Sequence, residues 1–145
     1  MLRILHSLAL LSVGLPLLSA CGHQARGVQI QDAFIRQGLP GVPDGVLYLT
    51  VVNDSKTPVK LLGGTTPIAH AVVPMLGGHG PGDVMNPVGQ VVTVPAWGKV
   101  TFSPGGKHIM LVGLTRSPKV GETVNVTLKF EPGADLTLNV PVKGY

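Results

Sequence analysis

Cysteine is nearly absent from this chain: 145 residues contain one, Cys21. A single thiol can form no intrachain disulfide, no dithiol redox couple and no multi-thiolate metal site. Charge is sparse too, at 12% of residues, and only seven residues are acidic. No pair of carboxylates stands in an apolar setting, and there is no Gly-x-Ser-x-Gly turn or His-Glu-x-x-His helix. The sequence therefore predicts a protein that is not an enzyme. Aromatic residues make up 4%. The basic residues are scattered, without the clusters or stacking platforms that nucleic acid requires, so no nucleic-acid partner is expected. Also lacking is any sustained helical periodicity bounded by caps.

The amino terminus is a processing segment. Arg3 is the only charge before Ser7–Leu18, a short apolar run that is too short to span a bilayer and suits a signal-peptide core. It ends in Leu18-Ser19-Ala20-Cys21, which resembles a bacterial lipobox and implies cleavage before Cys21 with lipid attached to that cysteine. An ordinary secretory signal is the plainer alternative. Residues 1–20 are read as a lipoprotein signal peptide, 21–27 as a lipid-anchored tether, and 28–145 as one β domain. The expected location is the periplasmic side of the cell envelope, with the chain anchored to membrane through its lipid. About 120 residues suffice for a hydrophobic core without covalent staples.

What the chain has in abundance is glycine and proline, 20 and 13 residues. These punctuate short apolar segments. Val124, Val126, Leu128 and Phe130 alternate with polar neighbours, as do Leu136, Leu138, Val140 and Val142. Period-two alternation marks half-buried strands, and Glu131–Asp135 supplies the hairpin turn between these two. Further strands are expected at Val28–Ile35, Val46–Val52, Val59–Leu62, Ala69–Val73 (ended by Pro74), Gln90–Val94, Lys99–Phe102 and Lys107–Val112. Eight or nine short strands with regular turns predict an all-β fold, a Greek-key sandwich or barrel.

Chemistry is concentrated in one window. Apart from Met1, every methionine falls between positions 75 and 110: Met75, Met85 and Met110. His79 and His108 share that window. Side chains two apart on a strand project from the same face, so His108 and Met110 stand together while Ile109 and Leu111 face a core. Thioether and imidazole form a soft donor set, which selects Cu(I). Taken singly, a methionine in a β protein is ordinary core filler; the confinement and the His-x-Met spacing point to a metal. His70 and His23 have no such support, and Trp97 reads as an exposed cap on the barrel end or a partner contact. A blue-copper site needs a cysteine thiolate, and Cys21 lies outside the domain.

Several segments carry a family resemblance. They are Leu47–Asn53, Pro67–Met75, Val84–Val88, Val94–Ala96, Pro104–Leu114, Gly121–Val124 and Leu138–Val142, with Pro104-Gly105-Gly106-Lys107-His108-Ile109-Met110-Leu111 the most specific. From Val28 to Val142 the chain resembles the periplasmic copper chaperone family of the PCu(A)C type. The resemblance implies a cupredoxin-like β fold, a Cu(I) ligand set of Met75, Met85, His108 and Met110, and delivery of copper to an envelope partner such as the copper site of a cytochrome oxidase subunit. Two features depart from the family pattern. Its first ligand is usually histidine, here Met75, and its spacing to the next methionine is one residue longer than the nine between Met75 and Met85. His79 lies in that interval as a possible extra or alternative donor. The competing function is a non-metal envelope lipoprotein, a β-sandwich binding or assembly module.

Overall fold

The computed structural model describes residues 27–77 and 90–144. The lipobox, Cys21, His23, His79 and Met85 lie outside the described residues. The described residues form nine strands: β1 (Val28–Arg36), β2 (Gly45–Asn53), β3 (Val59–Thr66), β4 (Ala69–Met75), β5 (Val92–Val94), β6 (Lys99–Phe102), β7 (His108–Leu114), β8 (Thr123–Glu131) and β9 (Leu136–Lys143). Among the described residues there is no helix.

Seven strands close on themselves in the order β1-β9-β8-β3-β4-β7-β2, with β2 returning to β1. Closure removes the unpaired edges that an open sheet would expose. The expectation of an all-β barrel holds. All pairings are antiparallel except β1 with β9. Inward positions of the alternating strands fill the interior: Ile35, Leu47, Val51, Leu61, Ile109, Leu111, Val126, Leu128 and Val140 are fully buried. Burial of one such side chain contributes about 1.5–3 kcal/mol, so this single core carries the domain.

Two walls of the barrel are interrupted at the same level. Along β2, Lys99–Phe102 of β6 pair with Val52–Leu49, and Ile109–Leu111 of β7 pair with Leu47–Gly45. β6 and β7 are thus one strand broken by an excursion. Residues 103–108 stand opposite Tyr48 alone, and Ser103 N donates to Lys107 O at 2.8 Å to close the excursion's base. The same happens along β3. β4 pairs with its far half, Gly64–Thr66, and β5 with its near half, Val59–Leu61. Between β4 and β5 the chain leaves after Met75 and returns at Gln90. That base is also pinned, by Gln90 N to Pro74 O at 3.2 Å and Leu76 N to Gln90 Oε1 at 3.0 Å.

Several strand boundaries differ from the sequence expectation, and three of the differences have a clear physical reason. Pro74 lies inside β4. Its carbonyl accepts from Gln90, and the amide and carbonyl of a strand residue point to the same side. The missing N–H therefore faces Gln90 and costs nothing in the ladder with β7. β3 runs on through Gly63 and Gly64 to Thr66. Glycine is required there because a Cβ on Gly63 would lie 2.8 Å from Val72 O, and one on Gly64 would overlap Thr127 O. β5 begins at Val92, because Gln90 is occupied with the end of β4.

Candidate metal centre

The ladder between β4 and β7 places Val72 opposite Leu111 and Pro74 opposite Ile109 on the core side. The intervening pairs therefore face outward: Met75 with His108, and Val73 with Met110. Since Pro74 forms no bonds to β7, the Met75–His108 pair must be hydrogen-bonded, with Cα atoms about 5.5 Å apart. Cβ atoms of such a pair are roughly 4.5–5.5 Å apart, within easy reach of one ion held by both side chains. Met110 follows two residues after His108 on the same face, flanked by Val73 on β4 and Val46 on β2.

His108 is 8% exposed, while Met75 and Met110 are half-buried. The ladder puts Met75, His108 and Met110 on the outer wall at the level of Tyr48, partway along β2. The imidazole is oriented from its own excursion: Nδ1 lies 3.0 Å from Gly106 O. A carbonyl only accepts, so a neutral ring donates from Nδ1 and carries its lone pair on Nε2. Fixing a ligand ring through its second nitrogen is what metal-binding histidines require. The glycines before it have a local purpose. Gly105 turns with φ of 81° and Gly77 with φ of 100°, and a Cβ on Gly77 would be in van der Waals contact with Gly106 at 3.4 Å. The two excursions therefore touch at their bases, beside Met75 and His108.

Sequence reasoning missed Tyr48. It points outward, since Leu47 and Leu49 face the core, yet it is only 8% exposed. Phe34 covers it, with ring centroids 5.3 Å apart, and the Arg36 guanidinium lies 5.7 Å from its centroid. Along β2, Tyr48 follows Leu47, the partner of Ile109, and so lies on the side of β7 away from Met75. The available signal was a large aromatic at an outward position of a strand. Gln90, which fixes the base beside Met75, has no local signal.

His70 is on the other face of β4, over Gly113, with the ring 2.6 Å from where a Cβ would stand. Five residues from Met75, it is about 17 Å away, and the structure does not bring it to the site. Among the described residues, no three His, Cys, Asp or Glu side chains are grouped to hold a metal. The side chains that the ladder does bring together are those of Met75, His108 and Met110. Among the described residues, the one group with a clear titration shift lies elsewhere: Glu122 is held below the usual carboxylate range, chiefly by its hydrogen bond from Arg116 at 2.7 Å.

Residues 28–142 match the family model described as "Putative lipoprotein LpqE-like". The chain belongs to the LpqE-like lipoprotein family. One relative, described as "Putative lipoprotein Lxx21020" of Leifsonia xyli, is 30% identical over 129 residues, covering 86% of this chain and 74% of its own. Solved structures similar to this LpqE-like chain are PCuAC domains and a related protein. The copper-bound PCuAC domain from PmoF2 superposes with a TM-score of 0.72 at 24% identity, covering 85% of this chain and 97% of its own; it establishes the fold. The Cu(I) form of DR1885 from Deinococcus radiodurans is 37% identical with a TM-score of 0.63, covering 87% of this chain and 85% of its own. The LpqE-like chain therefore has the fold of the PCuAC domains, as its sequence resemblance implied.

Proposed function

We propose that this protein is a lipid-anchored copper chaperone that carries one Cu(I) on Met75, His108, Met110 and Met85. The observation that carries this reading is the direct cross-strand pairing of Met75 with His108, with Met110 on the same face. The copper held by the PmoF2 domain and the Cu(I) held by DR1885 support it. Met85 is included because it lies in the excursion whose two ends flank this pair, and His79 of the same excursion is an auxiliary donor. Thioethers are neutral and need no deprotonation, so they bind and release Cu(I) without proton transfer, while the imidazole binds only when neutral. Copper passes on by ligand exchange to an acceptor on the periplasmic side of the envelope, for which a cytochrome oxidase copper site is suitable. Cys21 holds the lipid that keeps the carrier at the membrane.

The test is X-ray absorption on the mature domain loaded with one equivalent of Cu(I) under reducing, anaerobic conditions. Two or three sulfur scatterers with one nitrogen are expected, and replacing His108 and Met110 together should sharply weaken Cu(I) binding. A domain that binds no stoichiometric copper would instead be a non-metal lipoprotein module.

A further inference from the structure

The single tryptophan, Trp97, occupies the tip of the turn between β5 and β6 and is 69% exposed. It has a positive φ of 54°. Bulky residues rarely adopt that conformation, and retaining one in it without a packing reason is a pointer to function.

The turn is rigidly built. Trp97 N donates to Ser55 O at 3.1 Å, Gly98 N to Pro95 O at 3.1 Å, and Asn53 N to Gly98 O at 2.8 Å. Asn53, 1% exposed, donates through Nδ2 to Thr57 O and Pro95 O and accepts from Ser55 Oγ. The indole is thus presented to solvent from a fixed platform.

The same platform receives the amino terminus. Asp54 N donates to Gly27 O at 2.6 Å, one residue from the Ser55 that holds Trp97. Cys21 is six residues before Gly27, and six residues span at most about 20 Å. A lipid on Cys21 therefore keeps Gly27, and with it this end of the barrel, within about 20 Å of the bilayer.

We propose that the Trp97 end of the barrel docks on the membrane surface, with the indole seated at the lipid–water interface. This rests on Cys21 being the point of lipid attachment. Tryptophan favours that interface because its ring is apolar and its N–H can still reach water. Lys56 and Lys99 flank the turn and can extend toward headgroups. Asp54 lies beside them, and Glu131 and Asp135 border the neighbouring β8–β9 turn, so charge is mixed and the indole drives the docking. Once docked, the chain holds its outer-wall donors at a set height and orientation above the membrane.

The sole tryptophan is its own reporter. The mature chain, coupled through its sole cysteine to a maleimide-headgroup lipid in phosphatidylcholine–phosphatidylglycerol vesicles, should show a blue-shifted emission quenched by brominated acyl chains. The same chain coupled to a soluble maleimide should show neither. Emission that stays unshifted and open to aqueous iodide on the vesicle would overturn the proposal and leave the indole to a protein partner. Trp97→Gly, which suits the positive φ, keeps the fold and supplies a second readout. Amide exchange at 54–57 and 95–99 should slow on vesicles for the parent chain and not for the variant; equal slowing in both would also refute docking. Coupling supplies the anchor chemically, so absence of acylation in cells would refute the lipoprotein reading without altering this result.

Discussion

Met75→Leu and His108→Gln, made singly and together, test whether the two side chains hold one ion. The replacements keep shape where it matters. Met75 is half-buried and leucine has nearly its volume, so the fold should lose less than about 1.5 kcal/mol. His108 sits directly opposite Met75 in the ladder. If both bind the same Cu(I), removing either ligand already dismantles the site, and removing the second costs less. Groups in one network typically couple by 0.5–3 kcal/mol, which is roughly 2- to 150-fold in affinity. The double variant should fall short of the product of the single losses by that factor. Competition against a chromophoric Cu(I) chelator under anaerobic reducing conditions reads it directly, with thermal unfolding of the copper-free protein as the control. His70→Gln, about 17 Å away on the opposite face, should leave affinity unchanged. Losses that multiply to within 0.3–0.5 kcal/mol of additivity, or single variants with parental affinity, would refute a shared ion.

Asn53→Ala removes a buried amide that ties two turns together. At about 1 kcal/mol per hydrogen bond plus the cost of buried groups left unpaired, it should lose about 2–4 kcal/mol, a fall in Tm of roughly 8–16 °C by calorimetry. Gly64→Ala would drive a Cβ into the Thr127 carbonyl and should cost about 3 kcal/mol or more. Gly121→Ala, with φ of 88° but open space around it, should cost only about 1–2 kcal/mol; denaturant midpoints separate the two. Glu122 owes its lowered titration first to the hydrogen bond from Arg116. Because the folded carboxyl titrates below its unfolded value, its stabilisation is present above the unfolded pKa and disappears as pH falls through the folded one. Arg116→Ala should return Glu122 to the usual carboxylate range, as followed by carboxyl NMR shifts against pH.

Alternation made most of the barrel readable, since Thr123–Glu131 and Leu136–Lys143 carry their inward and outward faces in the order of their residues. The errors came from punctuation. Pro74, Gly63, Gly64 and Gly113 look like strand breakers, yet each sits in a strand: the three glycines because a neighbour leaves no room for a Cβ, and Pro74 because its missing N–H faces away from β7. Such needs are long-range and leave no local mark. The same division holds at the candidate site. That His108 and Met110 share a face follows from their spacing alone. That Met75 stands opposite His108 depends on register between strands more than thirty residues apart, for which only family resemblance offered a guide. Tyr48 and Gln90 were invisible as neighbours of the site for the same reason.

The paired breaks in adjacent walls have an evolutionary consequence. Each departing segment rejoins its own β-partner in step with where it left, so its length is decoupled from the shape of the scaffold. Residues can be gained or lost there without shifting a single inward side chain. Descendants of one ancestral barrel could therefore exchange a donor, or shorten a donor-bearing segment by one position, while inheriting the interior unchanged.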